Sequence, residues 1–496
     1  MKGFDYFKGG IAMRIAIVSY EVYPFAKVGG LADVVGALPK YLEKKDVSVD
    51  IYMPFHKKVI ENQQKFGYTL EKITDGLSPM HLLTEEKFGI YKAVLPGAKG
   101  VHVFFIANDY YFGADEVYQG PDLAEQAIFF SKSVLEAIQK LDINYNVVHV
   151  NDWQTSLIPV YLKTLYRDNP HFQHTATVLT IHNLGYQGIF DPSYLRFAGL
   201  PVELYNIDGL EFYGQINFLK GGILFSDVIN TVSPTYAREI QTKEYGEKLD
   251  GVLRLRSADL YGILNGIDYE EYNPATDKRI YVNYDLSTID LKKENKRQLQ
   301  RELGLPERDV PLVGMINRLV DQKGLDILAE IMDYVALFDM QFVLLGTGEK
   351  QYEDVFRRLG EKYPEKYSIN IKFDTVLAQK IYAGADMFLM PSRYEPCGLG
   401  QMYSLRYGTI PIVRYTGGLA DTVSEYNPET GQGNGFGFIN YDSANLLKAI
   451  AKAIYYYNEK EHWSKLVENA MNSDVSWDKS AAEYVKLYQR AISKIK

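Results

Sequence analysis

Short, unbroken apolar runs alternate with longer amphipathic stretches along most of the chain. RIAIVSY (14–20) leads to a glycine turn, AKVGG (26–30). LADVVGALPKYLEKK (31–45) follows with apolar residues at helical spacing, and then VSVDIYMP (47–54). Strand, helix and strand, with apolar residues on both strand faces, predict a βαβ unit in a buried parallel sheet. NVVHV (146–150), ATVLTI (176–181) and VINTVS (228–233) continue the series, with a helical segment, TSLIPVYLKTLYRD, between the first two.

The pattern lapses between Asn265 and Lys293. NGIDYEEYNPATDKRIYVNYDLSTIDLKK is polar and weakly periodic, and it reads as a linker. A second alternating series begins after it: PLVGMI, a helix near 325–338, QFVLLG, a helix near 350–361, NIKF, MFLM and TIPIV. Two α/β halves, each built like a nucleotide-binding domain, are the economical reading. GGLADVV (29–35) recurs as GGLADTV (417–423), each copy opening a helix after an extended segment. The echo favours a duplicated design. In such sheets ligands sit beyond the carboxyl ends of the strands.

Composition narrows the class. At 496 residues the chain is too long for one core. Its 46% hydrophobic and 24% charged content is that of a globular protein, and no apolar run approaches the ~20 residues of a membrane span. A net charge of −9 argues against a general nucleic-acid binder. The single cysteine excludes an intramolecular disulfide and suits a reducing cytoplasm. Residues 1–12, MKGFDYFKGGIA, lack the apolar core of a signal peptide and read as a short extension. The 40 tyrosines could stack on sugars, but half-buried sheet and core positions explain most of them better.

Candidate chemistry lies at strand ends. Lys27 stands in a glycine turn whose amides can approach a phosphate, although a tight packing turn is an equal reading. Arg318 and Lys323, in NRLVDQKG, look like a diphosphate clamp or, equally, a solvated surface pair. His182 ends a strand without a partner for a nucleophilic triad, and Trp153 beside Asp152 reads as core. No D-x-D sequence and no histidine pair marks a metal, so the expected site needs neither metal nor cofactor. Glu395, in SRYEPCGLGQ, either caps the following helix or accepts ligand hydroxyls, with the amides of Cys397, Gly398 and Leu399 as donors. Together these groups suit a nucleotide sugar.

The chain resembles bacterial glycogen synthases and plant-type starch synthases. AKVGGLADVVGALP, VHVNDWQT, LTIHNLGYQG, NFLKGGI, INTVSPTYAREI, LNGID, NRLVDQKG, LGTGE, IYAGADMFLMPSRYEPCGL and QMYSLRYGTIPIVRYTGGLADTV carry the resemblance, in order, from Met13 almost to the end. It implies a GT-B fold: two Rossmann-like domains facing across a deep cleft. Residues 13–265 would form the acceptor side, 266–475 the nucleotide-sugar side, and 476–496 a helix returning to the first domain. The implied reaction is transfer of glucose from ADP-glucose, or UDP-glucose, to the non-reducing 4-OH of an α-1,4-glucan with retention, in the cytoplasm and without nucleic-acid or membrane partners.

Carried over by position, Lys27 and the amides of Gly29 and Gly30 would meet the distal phosphate, and Arg318 and Lys323 would neutralise the diphosphate. Glu395 and the Cys397–Gly398–Leu399 turn would hold the sugar. His182 would stand near its 6-hydroxyl, Tyr382 would contact the base, and Asp33, Asp152 and Asn265 would form the sugar shell. Gly400 departs from the family pattern, where a hydroxyl or amide residue is common. The rivals are a GT-B enzyme with another donor or acceptor, a phosphorylase, for which no pyridoxal-phosphate lysine stands out, and a silent glucan-binding homologue.

Overall fold

The computed structural model describes residues 13–80, 82 and 84–495; the reading of residues 1–12 as an extension lies outside them. The chain forms two compact units. The first runs through Val232 and adds Ala237–Ile263 and Trp477 onward; the second is Ser233–Tyr236 with Leu264–Ser476.

In the first unit the strands are β1 (Arg14–Val18), β2 (Ser48–Pro54), β3 (Glu71–Leu77), β4 (Phe88–Val94), β5 (His102–Ala107), β6 (Val147–Asn151), β7 (Ala176–Ile181), β8 (Ile189–Phe190), β9 (Glu211–Phe212), β10 (Gln215–Asn217), β11 (Val228–Thr231) and β12 (Leu260–Gly262). Nine form one sheet in the order β12-β11-β7-β6-β1-β2-β5-β4-β3, parallel from β12 to β5 and antiparallel beyond; β8, β10 and β9 form a small sheet apart. β6 and β7 are buried along their whole length, which is why their sequences are apolar without alternation. Helix α1 (Gly30–Glu43) covers part of one face.

The second unit holds β13 (Leu312–Ile316), β14 (Gln341–Leu345), β15 (Tyr367–Asn370), β16 (Met387–Met390), β17 (Ile410–Arg414) and β18 (Phe436–Phe438), all parallel in the order β15-β14-β13-β16-β17-β18. Its site-bearing helices are α2 (Leu325–Val335), α3 (Thr375–Gly384), α4 (Gly400–Arg406) and α5 (Gly417–Thr422). The last helix, α6 (Trp477–Ser493), belongs to the first unit. There it buries Trp477, Tyr484 and Tyr488, and Tyr488 shares a hydrogen bond with His149 of β6 (2.9 Å). Full burial of each such side chain contributes about 1.5–3 kcal/mol.

Strand order locates the chemistry. In the second sheet successive strands run outward from β13 to β15 on one side and from β16 to β18 on the other, so the order reverses between β13 and β16. In the first it reverses between β1 and β6. At such points neighbouring crossovers diverge and leave a crevice beyond the strand ends. Arg318 follows β13 and Glu395 follows β16; Lys27 follows β1 and Asp152 follows β6.

Two expectations change. The stretch 265–293 is not a free linker: Ile280 and Tyr284 are buried with Tyr382, Phe388 and Tyr407, and Asp277 accepts from Arg279 and from the Tyr407 hydroxyl. Its anchors are single aromatic and ionic contacts, which leave no periodicity to read. The glycine echo also separates in role. A Cβ on Gly417 would lie 1.9 Å from the Glu395 carbonyl and one on Gly418 2.1 Å from that of Cys397, so this copy is the bed of the Glu395 loop. Around Gly29 the space is open.

Candidate active site

In the second unit β13 ends at Ile316, and Arg318 stands exposed two residues on, with no side-chain hydrogen bond or ion pair among the described residues. A turn over Asp321–Lys323 and Gly324 then enters α2. Gly324 is left-handed (φ 74°), and a Cβ there would meet the Pro391 carbonyl at 2.0 Å, so at this point the loops after β13 and β16 approach too closely for a side chain.

That contact brings Lys323 to Glu395. Nζ donates to Oε2 at 2.6 Å, and the Ser392 hydroxyl donates to the same oxygen at 3.1 Å. Glu395 is 7% exposed, and Oε1 has no hydrogen-bond partner among the described residues. Of the two readings of Glu395, the helix cap is absent: α4 has no side-chain cap, and its N-cap residue is Leu399. Glu395 is therefore half engaged, with one oxygen tied to a cation and the other open.

The turn beyond it is fixed from beneath. Gly398 is left-handed (φ 74°); Gln401 Nε2 donates to the carbonyls of Cys397 and Gly398; the Gly418 amide donates to the carbonyls of Glu395 and Pro396. The Ser233 hydroxyl donates to the Pro396 carbonyl at 2.6 Å, and Asp421 accepts from the Thr235 amide and hydroxyl. Burial pushes the Cys397 thiol up to about 12, so it packs and does not attack. Asn265, 7% exposed, keeps a buried Oδ1 without a partner, an acceptor still to be satisfied.

Tyr382 is a correction. It is 5% exposed and packs on Phe388, Tyr403 and Tyr407, so neither face of its ring is left for a base. The sequence reading missed Phe373, which is 85% exposed between the end of β15 and Asp374, the N-cap of α3. NIKF looks like a strand through Phe373, but the ladder with β14 stops at Asn370, freeing the ring. Gly400 has a packing reason: a Cβ there would lie 2.9 Å from the Phe388 ring.

In the first unit the Lys27 ammonium bonds both oxygens of Asp33, at 2.6 and 2.8 Å. Burial raises the Asp33 carboxyl and Lys27 opposes that. The Gly29 amide, expected to be open to a phosphate, is a second correction. It donates to Glu21 Oε2 at 2.8 Å, as the Val28 amide also does. The Tyr118 hydroxyl takes the other Glu21 oxygen.

Asp152 sits at φ 55°, ψ −174°, a region that a residue with a side chain enters only at a cost. Its carboxylate accepts the His182 amide at 2.7 Å. Burial pushes the carboxyl up to about 7, against the backbone donors of His182 and Asn183, and the Glu21 charge adds to the rise. His182 is pushed down to about 3 by burial and is neutral at working pH. Its Nε2 lies 2.9 Å from Asn151 Oδ1; since Asn151 Nδ2 donates to the Val18 carbonyl, Nε2 carries the proton. Trp153 is core, 8% exposed and packed on Phe190 and Phe218.

Each unit thus gathers its polar residues where its strand order reverses, and two Rossmann-type sheets so equipped define a glycosyltransferase of the GT-B class. The family description "starch synthase catalytic domain" matches residues 14–255, and "glycosyl transferases group 1" matches 295–471. The catalytic domain of starch synthase IV from Arabidopsis thaliana, solved with ADP and acarbose, superposes with a TM-score of 0.88 at 33% identity over 97% of this chain and all of that one. Sucrose-phosphate synthase from Thermosynechococcus elongatus shares the fold (TM-score 0.59, 17% identity, 97% of this chain and 99% of that one). The glycogen synthase of Fervidobacterium nodosum is 77% identical over 483 residues, and that of Thermotoga maritima 67% over 485, each spanning 97% of this chain and 100% of the relative. The chain belongs to the glycogen synthase family, and its function is that of a glycogen synthase. Among the described residues no helix is long and apolar enough to cross a membrane.

Proposed function

We propose that the enzyme transfers glucose from ADP-glucose to the non-reducing 4-OH of an α-1,4-glucan with retention at the anomeric carbon. The observation that carries this is a carboxylate beyond β16 with one open oxygen, tied by Lys323 to the loop beyond β13 that also bears an uncommitted guanidinium. Glu395 Oε1 accepts hydroxyls of the donor sugar, and the amides of the Cys397–Leu399 turn supply donors. Arg318 takes the diphosphate in bidentate fashion, Lys323 adds a point charge, and Lys27 meets the distal phosphate with the Gly30 amide. Asp152, His182, Asn265 and Asp33 complete the sugar shell.

A nucleoside diphosphate is already a good leaving group, so no strong general acid is required. Catalysis then consists of neutralising charge that grows on the diphosphate, which fixed cations do well where water is excluded. Retention follows from attack on the same face, with the departing phosphate taking the acceptor's proton; a glucosyl group trapped on Glu395 would refute this. The preference for ADP-glucose rests on the relatives, since the Arabidopsis starch synthase holds ADP. The buried free thiol of Cys397 suits the cytoplasm, where we place the enzyme.

Glucose incorporation into glycogen, measured with ADP-glucose and UDP-glucose in parallel and in EDTA, tests the reading. Transfer from ADP-glucose in chelator is the expected result; dependence on added divalent ion would overturn the account of the phosphate site. Phe373 is the proposed base platform. Phe373→Ala is expected to raise KM for the donor about tenfold, the loss of one stacking contact of roughly 1–1.5 kcal/mol, with kcat little changed. An unaltered KM would remove that role.

A further inference from the structure

Glu21 is buried (3% exposed), carries a carboxylate that the reaction above does not use, and lies three residues beyond β1. The chain after it folds back on itself: Val22 and Ala26 exchange both backbone hydrogen bonds at 3.0 Å, and the Tyr23 amide donates to the Ala32 carbonyl. This return aims the consecutive amides of Val28 and Gly29 at one oxygen, Glu21 Oε2, while the Tyr118 hydroxyl holds Oε1. Tyr118 is itself fixed, stacked on the buried Tyr20. Two successive N–H groups converging on an anion form the concavity that phosphate-binding loops offer to their ligand. Here the protein fills it with its own carboxylate.

Phe25 and Ala26 are buried, but Val28 and Gly29 add little beyond them. The Val28 side chain is 54% exposed, Gly29 has no side chain, and Lys27 reaches outward over the Tyr23 ring to Asp33. The Lys27 backbone is accordingly held on one side by the Ala26 bonds to Val22 and on the other by the next two amides, both of which end on Glu21.

We propose that Glu21 is the positioning residue for Lys27: its carboxylate fills the Val28–Gly29 amide pair and so fixes where the lysine stands. The Gly29 amide then serves the loop and not the donor. This rests on the assignment of Lys27 to the distal phosphate.

The test is a double-mutant cycle on kcat/KM for ADP-glucose, with Tm followed throughout. Glu21→Ala is expected to lower kcat/KM about 30-fold, the scale of losing charge-assisted hydrogen bonds. In a Lys27→Ala background the same change is expected to cost no more than about twofold, because positioning a missing lysine has no effect. Formate, a carboxylate small enough for the vacated space, is expected to restore part of the activity of Glu21→Ala with Lys27 present and none without it. Glu21→Gln, which keeps an acceptor for the two amides, is expected to recover about tenfold over Glu21→Ala; it also serves if the alanine variant fails to fold. An equal loss from Glu21→Ala in both backgrounds would overturn the proposal and leave the Lys27 assignment standing, with Glu21 acting through the neighbouring Asp152 instead. A Lys27→Ala enzyme as active as the parent would overturn the assignment itself, and the proposal with it.

Discussion

Arg318→Ala is expected to lower kcat by about 10²–10³-fold, the cost of removing one fixed group that stabilises charge in a transition state, and to leave Tm almost unchanged. Both halves follow from the same fact. The guanidinium is exposed and has no side-chain partner among the described residues, so folding gains nothing from it that alanine would forfeit. Surface substitutions of this kind stay within about 0.5 kcal/mol. Arg318→Lys is expected to recover only part of the loss, since an ammonium cannot fork two phosphate oxygens. Steady-state glucan synthesis beside thermal melting checks both statements. A fall in Tm matching the fall in kcat would mean that Arg318 supports the fold.

Lys323 behaves differently. Its ammonium is already bonded to a nearly buried carboxylate, so Lys323→Ala removes a charge from the donor and also strands Glu395. Its effects on activity and stability are therefore entangled, whereas those of Arg318 are separable. The two cations stand five residues apart in sequence, but Lys323 is bonded to a carboxylate and Arg318 has no side-chain partner among the described residues.

Legibility divides along the same line. Arg318 and Glu395 can be read because a short apolar run announces a buried parallel strand, and the residues just beyond such a strand lie in a crevice wherever the sheet order reverses. The Lys323–Glu395 bond, 72 residues apart, depends on two loops meeting through Gly324 and Pro391, and no local pattern announces it. Tyr382 misleads because a tyrosine on a helix shows the same spacing whether its face is covered or open; here Phe388 and Tyr407 cover it. Phe373 is hidden by the opposite effect, since apolar alternation runs past the point where β14 has no further residue to pair. Glu21 does leave a trace, a lone carboxylate in the otherwise apolar stretch SYEVYPFA before a glycine turn. A charge in that setting needs partners, and the amides of the turn are the nearest ones.

Asp152→Asn is expected to stabilise the protein at alkaline pH and to do little for it in acid, while damaging synthesis. The carboxyl is pushed up to about 7 in the folded protein, against about 3.9 in an unfolded chain. Below pH ~4 both states hold the proton, and the group leaves stability unaffected. Between pH ~4 and ~7 the unfolded state ionises first, so stability falls as pH rises, and above ~7 the penalty is constant. For a fully buried group the gap would amount to roughly 4 kcal/mol; Asp152 keeps some solvent contact, and about 2 kcal/mol is the figure to expect. Asparagine removes that term while keeping an acceptor for the His182 amide, and it tolerates a positive φ at least as well as aspartate. Melting curves at about pH 4.5 and about pH 8, values set near the two ends of the window, should therefore show Tm of the variant rising relative to the parent by several degrees at the higher pH and by much less at the lower. An equal shift at both would assign the gain to relief of backbone strain. No shift at either would mean that the carboxyl ionises freely in the folded protein. A carboxylate held at such a cost, on a strained backbone beside a strand end, is the kind of residue that stability alone would have replaced.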